Sequence, residues 1–177
     1  MATRLRLQMA LQELSRIVGE AEGHVHLAEF RVKRIRRVVP RDPKRKLVLI
    51  VSDGRHVAFA VPRNSRPEEI FRAIRPKIPS GSTIHCASEA LYRKLRRYCQ
   101  LWHRVVLAGP DARPAEIRSE ISILVAKRVI GRIYKHVIAP NLWAYLNEQS
   151  FRLNAPHDRS LFWTTLEQFP EARISWN

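Results

Sequence analysis

The chain has 177 residues, of which 45% are hydrophobic, so it is long enough for one domain with a real core and too short for two comfortable ones. It carries 32 lysines and arginines against 16 aspartates and glutamates, a formal net charge of +16. Such an excess attracts polyanions, which makes nucleic acid the leading partner and leaves a merely solvated basic protein as the alternative. No apolar run approaches the ~20 residues that span a bilayer, and no signal-peptide core is visible. The sequence therefore predicts a cytoplasmic protein without a membrane partner, with nucleoid association left open.

Hydrophobic periodicity predicts an amphipathic helix at residues 5–18, where apolar residues recur at spacings of four, three and four. Three strands follow, and Asp53-Gly54 joins the second to the third as a hairpin turn. Pro67 then opens a helix, and strands and helices follow it in turn. The predicted strands span 24–32, 47–51, 55–61, 82–86 and 103–107. The predicted helices after the first span 67–75, 88–98, 114–130 and 140–154.

The element order βββαβαβα predicts an α/β domain in which helices cover both faces of a mixed five-stranded sheet, because each later β-α-β connection needs a crossover helix. In the helix at 114–130, Ile117, Ile121 and Leu124 share one face with Val125, and we expect that face to pack on the core. The predicted organisation is an N-terminal helix at 1–22, the α/β domain at 23–155 and a tail at 156–177.

The two cysteines, Cys86 and Cys99, form no C-x-x-C pair and fall at a predicted strand end and a predicted helix end. Buried free thiols usually occupy such places. We therefore expect neither a zinc site nor a disulfide from them.

Four strings, in order along the chain, are similar to strings of one known family. Residues 23–30 (GHVHLAEF) are similar to its first strand, G-x-V-E-V-D-E-T-Y, and residues 79–92, which begin P-x-G-S-T-I and end in tyrosine, are similar to its P-G-S-T-I-x-T-D-x-x-x-A-Y segment. Residues 131–137 (GRIYKHV) resemble its G-x-Y-x-H-V string, and residues 145–154 (YLNEQSFRLN) resemble its Y-L-x-E-F-x-F-R-x-N string. The chain thus resembles the ISXO-type group of DDE insertion-sequence transposases. That resemblance implies a ribonuclease-H-like fold, whose element order matches the predicted one.

The resemblance also implies a two-metal site for phosphoryl transfer, which needs several carboxylates in one pocket. The family supplies Asp on the first strand, Asp at the end of the fourth strand and Glu on a later helix. Here the first two positions are Ala28 and Ala87. A methyl group cannot ligate a metal, so the chain is expected to be a degenerate member of the family.

The third carboxylate position has two candidates. Matching Lys127-Arg128 to the family's K-R pair selects Glu120, whereas counting back from Gly131 selects Ser119. We expect no catalytic residue, with Glu120 as the candidate remnant. No cofactor is expected, and Mg²⁺ or Mn²⁺ would be needed only if an active enzyme used displaced ligands.

Neighbouring side chains offer such displaced ligands. Glu29 adjoins the first alanine, but successive strand residues point to opposite faces, so its use requires a register slip or a bulge. Glu89 follows the second alanine by two residues. His26 and His85 share strand faces with the two alanines, which leaves a histidine site for zinc or manganese as an alternative. The simpler interpretation is that all four are ordinary surface or core-edge residues.

Basic side chains form three clusters, and the first is expected to be a mobile cationic arm between two strands, suited to lying along phosphates. Tyrosines lie between these basic residues, Tyr92 and Tyr98 among them. They either stack on unpaired nucleobases or belong to the core. The first cluster is Arg31, Lys33, Arg34, Arg36, Arg37, Arg41, Lys44, Arg45 and Lys46; the second is Arg93, Lys94, Arg96 and Arg97; the third is Lys127, Arg128, Arg132 and Lys135.

We therefore expect a non-catalytic, transposase-derived protein that grips the phosphate backbone of nucleic acid through these clusters, with DNA favoured over RNA. Three alternatives stay open: an active DDE-type transposase or nuclease with displaced metal ligands, an RNA-binding component of a larger ribonucleoprotein assembly, and a decayed element without a selected role. A homo-oligomer or a larger nucleoprotein assembly is also left open.

Overall fold

A computed structural model describes most of the predicted α/β domain. The predicted N-terminal helix lies outside the described residues except for its last two positions, and the predicted tail lies outside them entirely. The described residues are 17–19, 23–33, 45–99, 103–132 and 141–155.

Five strands form one mixed sheet in the order β3-β2-β1-β4-β5. Strand β2 pairs antiparallel with both β1 and β3, whereas β4 is parallel to β1 and β5 is parallel to β4. The strands are β1 (His24–Lys33), β2 (Arg45–Ser52), β3 (Val57–Ala60), β4 (Thr83–Cys86) and β5 (Arg104–Leu107).

Four helices accompany the sheet within the described ranges. They are α1 (Pro67–Ile74), α2 (Glu89–Leu95), α3 (Arg113–Arg132) and α4 (Leu142–Asn154). The order of strands and helices confirms the predicted α/β class and the ribonuclease-H-like arrangement, with α4 added after the βββαβαβα series. None of the described helices is long and apolar enough to cross a membrane.

The strand alternation of β1 divides the core between the two faces of the sheet. On one face, Leu27 and Ile84 meet Ile70 of α1 and Leu91 of α2, and all four side chains are buried. On the other face, Phe30, Ile50 and Phe59 meet Ala126 of α3 and Leu146 of α4. Helices therefore cover both faces, as predicted.

The hairpin between β2 and β3 is held by the side chain of Asp53. One carboxylate oxygen accepts hydrogen bonds from the backbone N–H groups of Arg55 and His56 at 2.8 and 2.7 Å, and the other accepts one from Gly19 at 3.0 Å. Gly54 has a φ of 94°, a left-handed conformation that glycine adopts without strain. Burial raises the pKa of Asp53, but the hydrogen bonds from His56 and Arg55 and the charge of His56 outweigh it and lower the pKa below its ordinary value.

Helix α3 packs with a different face from the one predicted. Its buried row consists of the small residues Ala115, Ser119, Ser122 and Ala126, whereas the predicted core residues Ile117, Ile121 and Leu124 are exposed. The two rows are offset by two residues, which is roughly 200° around a helix. The expectation was wrong because small residues meet the sheet here: Ser119 is hydrogen-bonded to His26, and Ala126 packs with apolar residues of the strands.

Cys86 and Cys99 are free and buried, as predicted. Burial raises the pKa of each thiol to about 12. Both thiols are therefore protonated and unreactive at neutral pH.

Candidate functional site

The two alanine positions lie side by side in the sheet. Leu27 of β1 is the register partner of Cys86 of β4, and the next backbone N–H, that of Ala87, donates to the carbonyl oxygen of Leu27 at 2.9 Å. Ala28 is buried on the α3 side of the sheet, whereas Ala87 is exposed just beyond the end of β4. The structure thus brings both positions to one place, at neighbouring strands, as the family resemblance requires.

Ser119 of α3, and not Glu120, faces this part of the sheet. Ser119 is buried, and its Oγ lies 3.0 Å from Nδ1 of His26, two residues before Ala28 on the same strand face. Glu120 is exposed and reaches His26 only by a long-range charge interaction. Of the two candidates for the third position, the serine lies against β1, the strand that carries Ala28, and the glutamate is exposed to solvent.

Histidines occupy the strand positions that precede the alanines. His26 and His85 are register partners, and Nδ1 of His24 lies 2.8 Å from Nε2 of His85. Burial is the main cause that lowers the pKa of His26; proximity to His85 also lowers it, and Glu116 and Glu120 raise it. His26 is therefore a neutral imidazole at neutral pH, and its buried Nε2 has no hydrogen-bond partner among the described residues.

These residues do not fit a two-metal centre. The donors at the site are imidazoles and one serine hydroxyl, whereas Mg²⁺ prefers several oxygen ligands, chiefly carboxylates. In the part of the chain that the structure describes, no group of three or more His, Cys, Asp or Glu residues is arranged to hold a metal ion. His24, His26 and His85 do not form such a group, so this geometry gives no support to the alternative of a rebuilt histidine site.

The two glutamates considered as substitutes are not brought to the site. The β1–β2 register runs without a bulge from His26↔Ser52 to Lys33↔Arg45, so Glu29 points to the face opposite Ala28. Glu89 is exposed and pairs with Arg93 at 2.5 Å on the surface of α2. Neither carboxylate lies beside the alanines.

The second basic cluster lines an open groove on the face that carries α1 and α2. The groove has a volume of about 680 Å³, and a neighbouring groove of about 560 Å³ shares Tyr98 as a wall. Tyr98 is 40% exposed, and its hydroxyl donates to Glu68 of α1. The first groove is lined by Pro67, Arg93, Lys94, Arg96, Arg97 and Tyr98.

Two further arginines, Arg72 and Arg75, line the neighbouring groove. Neither was predicted as a binding residue, because Arg72 lies in the last turn of α1 and Arg75 directly after that helix, and the two form no basic run in the sequence. The predicted order of elements could have indicated them. Helices α1 and α2 stand before and after the same strand, β4, as consecutive crossover connections, so both pack on the same face of the sheet.

The first cluster is partly built into the sheet. Arg31, Lys33, Arg45 and Lys46 belong to the paired ends of β1 and β2, which corrects the expectation that they form a loose arm. Strand hydrogen bonds hold their backbone, since the alternating apolar pattern of β1 and β2 extends into the basic segment. The remaining members, Arg34, Arg36, Arg37, Arg41 and Lys44, lie outside the described residues.

The third cluster lies on α3, across the sheet from the second. Lys127 and Arg128 are exposed, and Nζ of Lys127 is 5.7 Å from the ring centroid of Phe30, whose next neighbour on β1 is Arg31. Lys127 therefore lies over β1 near its end, whereas Arg31, the next residue after Phe30, points to the opposite face of the sheet. Arg132 ends the helix, and Lys135 lies outside the described residues.

Comparison with known proteins agrees with this arrangement. The model of the family described as the ISXO2-like transposase domain matches residues 17–154. No curated protein and no solved structure matches the chain. The family match covers the whole sheet, the two alanine positions and helices α1 to α4. The chain belongs to the ISXO2-like transposase domain family.

Proposed function

We propose that this domain binds the phosphate backbone of nucleic acid and does not cleave it. The observation that carries the proposal is the pair of methyl groups at Ala28 and Ala87, on neighbouring strands where cleavage needs carboxylates. A family domain that keeps its basic surface and lacks the ligands for the metal ions retains binding and loses cutting.

The buried serine supports the loss of catalysis. Ser119 fills the space between α3 and β1 and is engaged with His26, so the third side chain that faces the strands is also not a carboxylate. Glu120 would have to turn from solvent through the packed helix face to reach Ala28, at the cost of the α3 packing.

The groove between α1 and α2 supports the binding. Arg93, Arg96 and Arg97 are exposed along it, and Arg72 and Arg75 stand on the other side of Tyr98. Guanidinium groups bind phosphate oxygens in a bidentate way, and a half-exposed tyrosine among them offers a surface on which a base can stack. These contacts are made to phosphate oxygens and to the flat faces of nucleobases, which are similar in every sequence. We therefore expect little sequence specificity.

Binding is tested with fluorescence anisotropy on labelled duplex DNA, single-stranded DNA and RNA of one sequence. The triple variant Arg93→Gln, Arg96→Gln, Arg97→Gln is expected to bind about tenfold more weakly and to reduce the slope of log affinity against log salt by about 2 to 3. A matched variant removes the same charge elsewhere, at the exposed Arg55, Arg104 and Arg113. Equal losses of affinity in both variants would mean that binding depends on net charge alone. That result would contradict binding in the groove.

Cleavage is tested with the same substrates in Mg²⁺ and in Mn²⁺. We expect intact nucleic acid throughout. Cutting that Glu120→Gln abolishes would establish the alternative, an active enzyme with displaced ligands. A higher affinity for RNA than for both DNA forms would favour a role in a ribonucleoprotein assembly.

A restored site gives the complementary test. The variant Ala28→Asp, Ala87→Asp, Ser119→Glu places carboxylates at the three positions that the fold brings together. Its Tm is expected to rise on addition of Mn²⁺, because the metal relieves the repulsion between the new carboxylates. The unaltered protein should show no such rise; a comparable rise would mean that it already binds the metal. The variant Ala28→Asp, Ala87→Asp retains Ser119 and has only the native Glu120 as a third carboxylate. Its Tm is expected to rise less on addition of Mn²⁺.

A further inference from the structure

The two grooves that share Tyr98 as a wall differ in their lining. Among the described residues that line the first groove, four of six are cationic and none is acidic. Half of those that line the neighbouring groove are apolar or aromatic. That lining consists of Phe71, Pro76, Tyr98, Glu68, Arg72 and Arg75. The first groove therefore suits a phosphate group, and the neighbouring groove suits a flat ligand with apolar faces.

The charges of the two grooves differ in the same sense. In the neighbouring groove, Arg72 pairs with Glu69 at 2.6 Å, and Glu68 adds a second carboxylate to the lining. In the first groove, Arg93 pairs with Glu89 at 2.5 Å, and the other three cations lie outside that ion pair. A phosphate group is therefore attracted more strongly to the first groove than to the neighbouring one.

Tyr98 stands between the grooves in a fixed orientation. Its hydroxyl donates a hydrogen bond to Glu68, which raises the pKa of Tyr98 and lowers the pKa of Glu68. At neutral pH the phenol is therefore protonated and the carboxylate ionised, so the hydrogen bond is kept. Phe71, on the same lining, packs against the apolar core. Both rings are positioned before a ligand arrives, which reduces the entropy that binding costs.

We propose that the neighbouring groove binds one unpaired nucleobase of a single strand, stacked on Tyr98, while the first groove binds a phosphate of the same strand. This inference rests on the proposed function and names the form of nucleic acid that the surface takes. A nucleobase has flat π-faces that stack on aromatic rings whatever its identity. The groove volume of about 560 Å³ lies in the range of sites for small ligands. In a duplex the bases are stacked inside, so only an unpaired base reaches the ring.

The experiment compares two strands of equal length and charge by fluorescence anisotropy. One is a short oligodeoxyuridylate, and the other is the same deoxyribose-phosphate strand without bases. The unaltered protein is expected to bind oligodeoxyuridylate about fivefold more tightly or better, which is the factor that stacking on an aromatic ring contributes. Tyr98→Ala should remove this difference and leave the affinity for the abasic strand unchanged. Tyr98→Phe retains the ring and should retain most of the difference.

Matched variants separate the base contact from the phosphate contacts. The triple variant Arg93→Gln, Arg96→Gln, Arg97→Gln should weaken the binding of both strands by the same factor, so that their ratio is kept. Leu107→Ala removes another exposed apolar side chain, on β5, and should change neither affinity. Tyr98 is 40% exposed, so the Tm of Tyr98→Ala should stay close to that of the unaltered protein. The affinity of Tyr98→Ala for a duplex of the same length should change less than about twofold, because its bases are paired.

Oligouridylate, in which only the sugar differs, tests whether the strand is DNA or RNA. We expect Tyr98→Ala to weaken the binding of oligouridylate and oligodeoxyuridylate by the same factor, since stacking on a ring face does not involve the sugar. A loss of affinity confined to one of them would assign the base site to that kind of strand.

Three results would overturn the base site and leave the proposed function intact. The first is equal affinity of the unaltered protein for oligodeoxyuridylate and the abasic strand. The second is a difference that persists in Tyr98→Ala, and the third is a difference that Tyr98→Phe loses as completely as Tyr98→Ala. Absence of binding to every strand and to the duplex would overturn the proposed function and this inference with it.

Discussion

The two faces of the sheet differ in what they bury. The face under α1 and α2 buries apolar side chains such as Leu27 and Ile84, and its polar groups stand outside as a basic groove. The face under α3 and α4 buries His26, Ser119 and Asn154 together with its apolar residues. Buried polar groups are costly unless they are hydrogen-bonded, and on the second face Ser119 and Asn154 have such partners, whereas Nε2 of His26 has none among the described residues.

This difference predicts which substitutions each face of the sheet tolerates. An apolar face is stabilised by its buried apolar surface and by close packing, so it tolerates substitutions only when the side-chain volume is nearly conserved. A face with paired polar groups depends on particular partners, and it is the face that carries Ala28 and Ser119. The comparison predicts that the first face is sensitive to volume and the second to the loss of single hydrogen bonds.

The largest expected effect is on the apolar face. Leu27→Ala leaves a cavity beneath α1 and α2 and should lower the free energy of unfolding by about 3 kcal/mol. Urea denaturation measures it, with Leu107→Ala as the control, since that side chain is half exposed and its loss should cost less than about 0.5 kcal/mol. Equal effects would mean that Leu27 is not packed as described.

The next effect tests the polar face through Asn154. Its Oδ1 accepts from the Val57 N–H at 2.9 Å, and its Nδ2 donates to the Val57 carbonyl at 2.8 Å, so one side chain serves both backbone groups of an edge strand. Asn154→Ala should cost about 2 kcal/mol, because it leaves a buried N–H unpaired.

Asn64→Ala is the matched control for this substitution. Asn64 also accepts a backbone N–H, that of Arg66 at 2.9 Å, but in an exposed turn where water replaces it. A cost at Asn64 as large as that at Asn154 would show that burial does not decide the effect.

A third prediction concerns pH. Burial lowers the pKa of His26 and of His103 from 6.5, so the unfolded chain takes up protons before the folded one does. Stability is therefore complete above about pH 6.5 and falls as the pH drops below it. Urea midpoints measured on both sides of this value should show the loss, and it should be smaller in His26→Gln. An unchanged loss in that variant would remove His26 as a source.

The smallest effects compare two adjacent residues of α3. Ser119→Ala removes the hydrogen bond to His26 and should cost about 1 kcal/mol. Glu120→Gln changes an exposed side chain and should alter stability by less than about 0.5 kcal/mol. The reverse order would place Glu120 against the sheet and reopen the choice for the third position.

The sequence by itself determined the strands and helices, because alternation, helical spacing and turn residues are local properties. The hypothesis that Ala28 and Ala87 stand where the family has carboxylates also comes from the sequence alone, since a motif is a local string of residues. Their adjacency followed from the predicted fold, and the register of β1 with β4 confirms it.

Only the tertiary structure decided which side of α3 is buried. The helix has two rows at helical spacing, one apolar and one of small residues, and periodicity does not say which row meets the sheet. That choice depends on what β1 presents, and a strand bearing His26 accepts the serine and the close backbone approach that small residues allow. The same packing turned Ser119, and not Glu120, towards the sheet and left Ile117, Ile121 and Leu124 exposed. On the other face, the tertiary structure brought basic residues from the α1 and α2 regions to two neighbouring grooves.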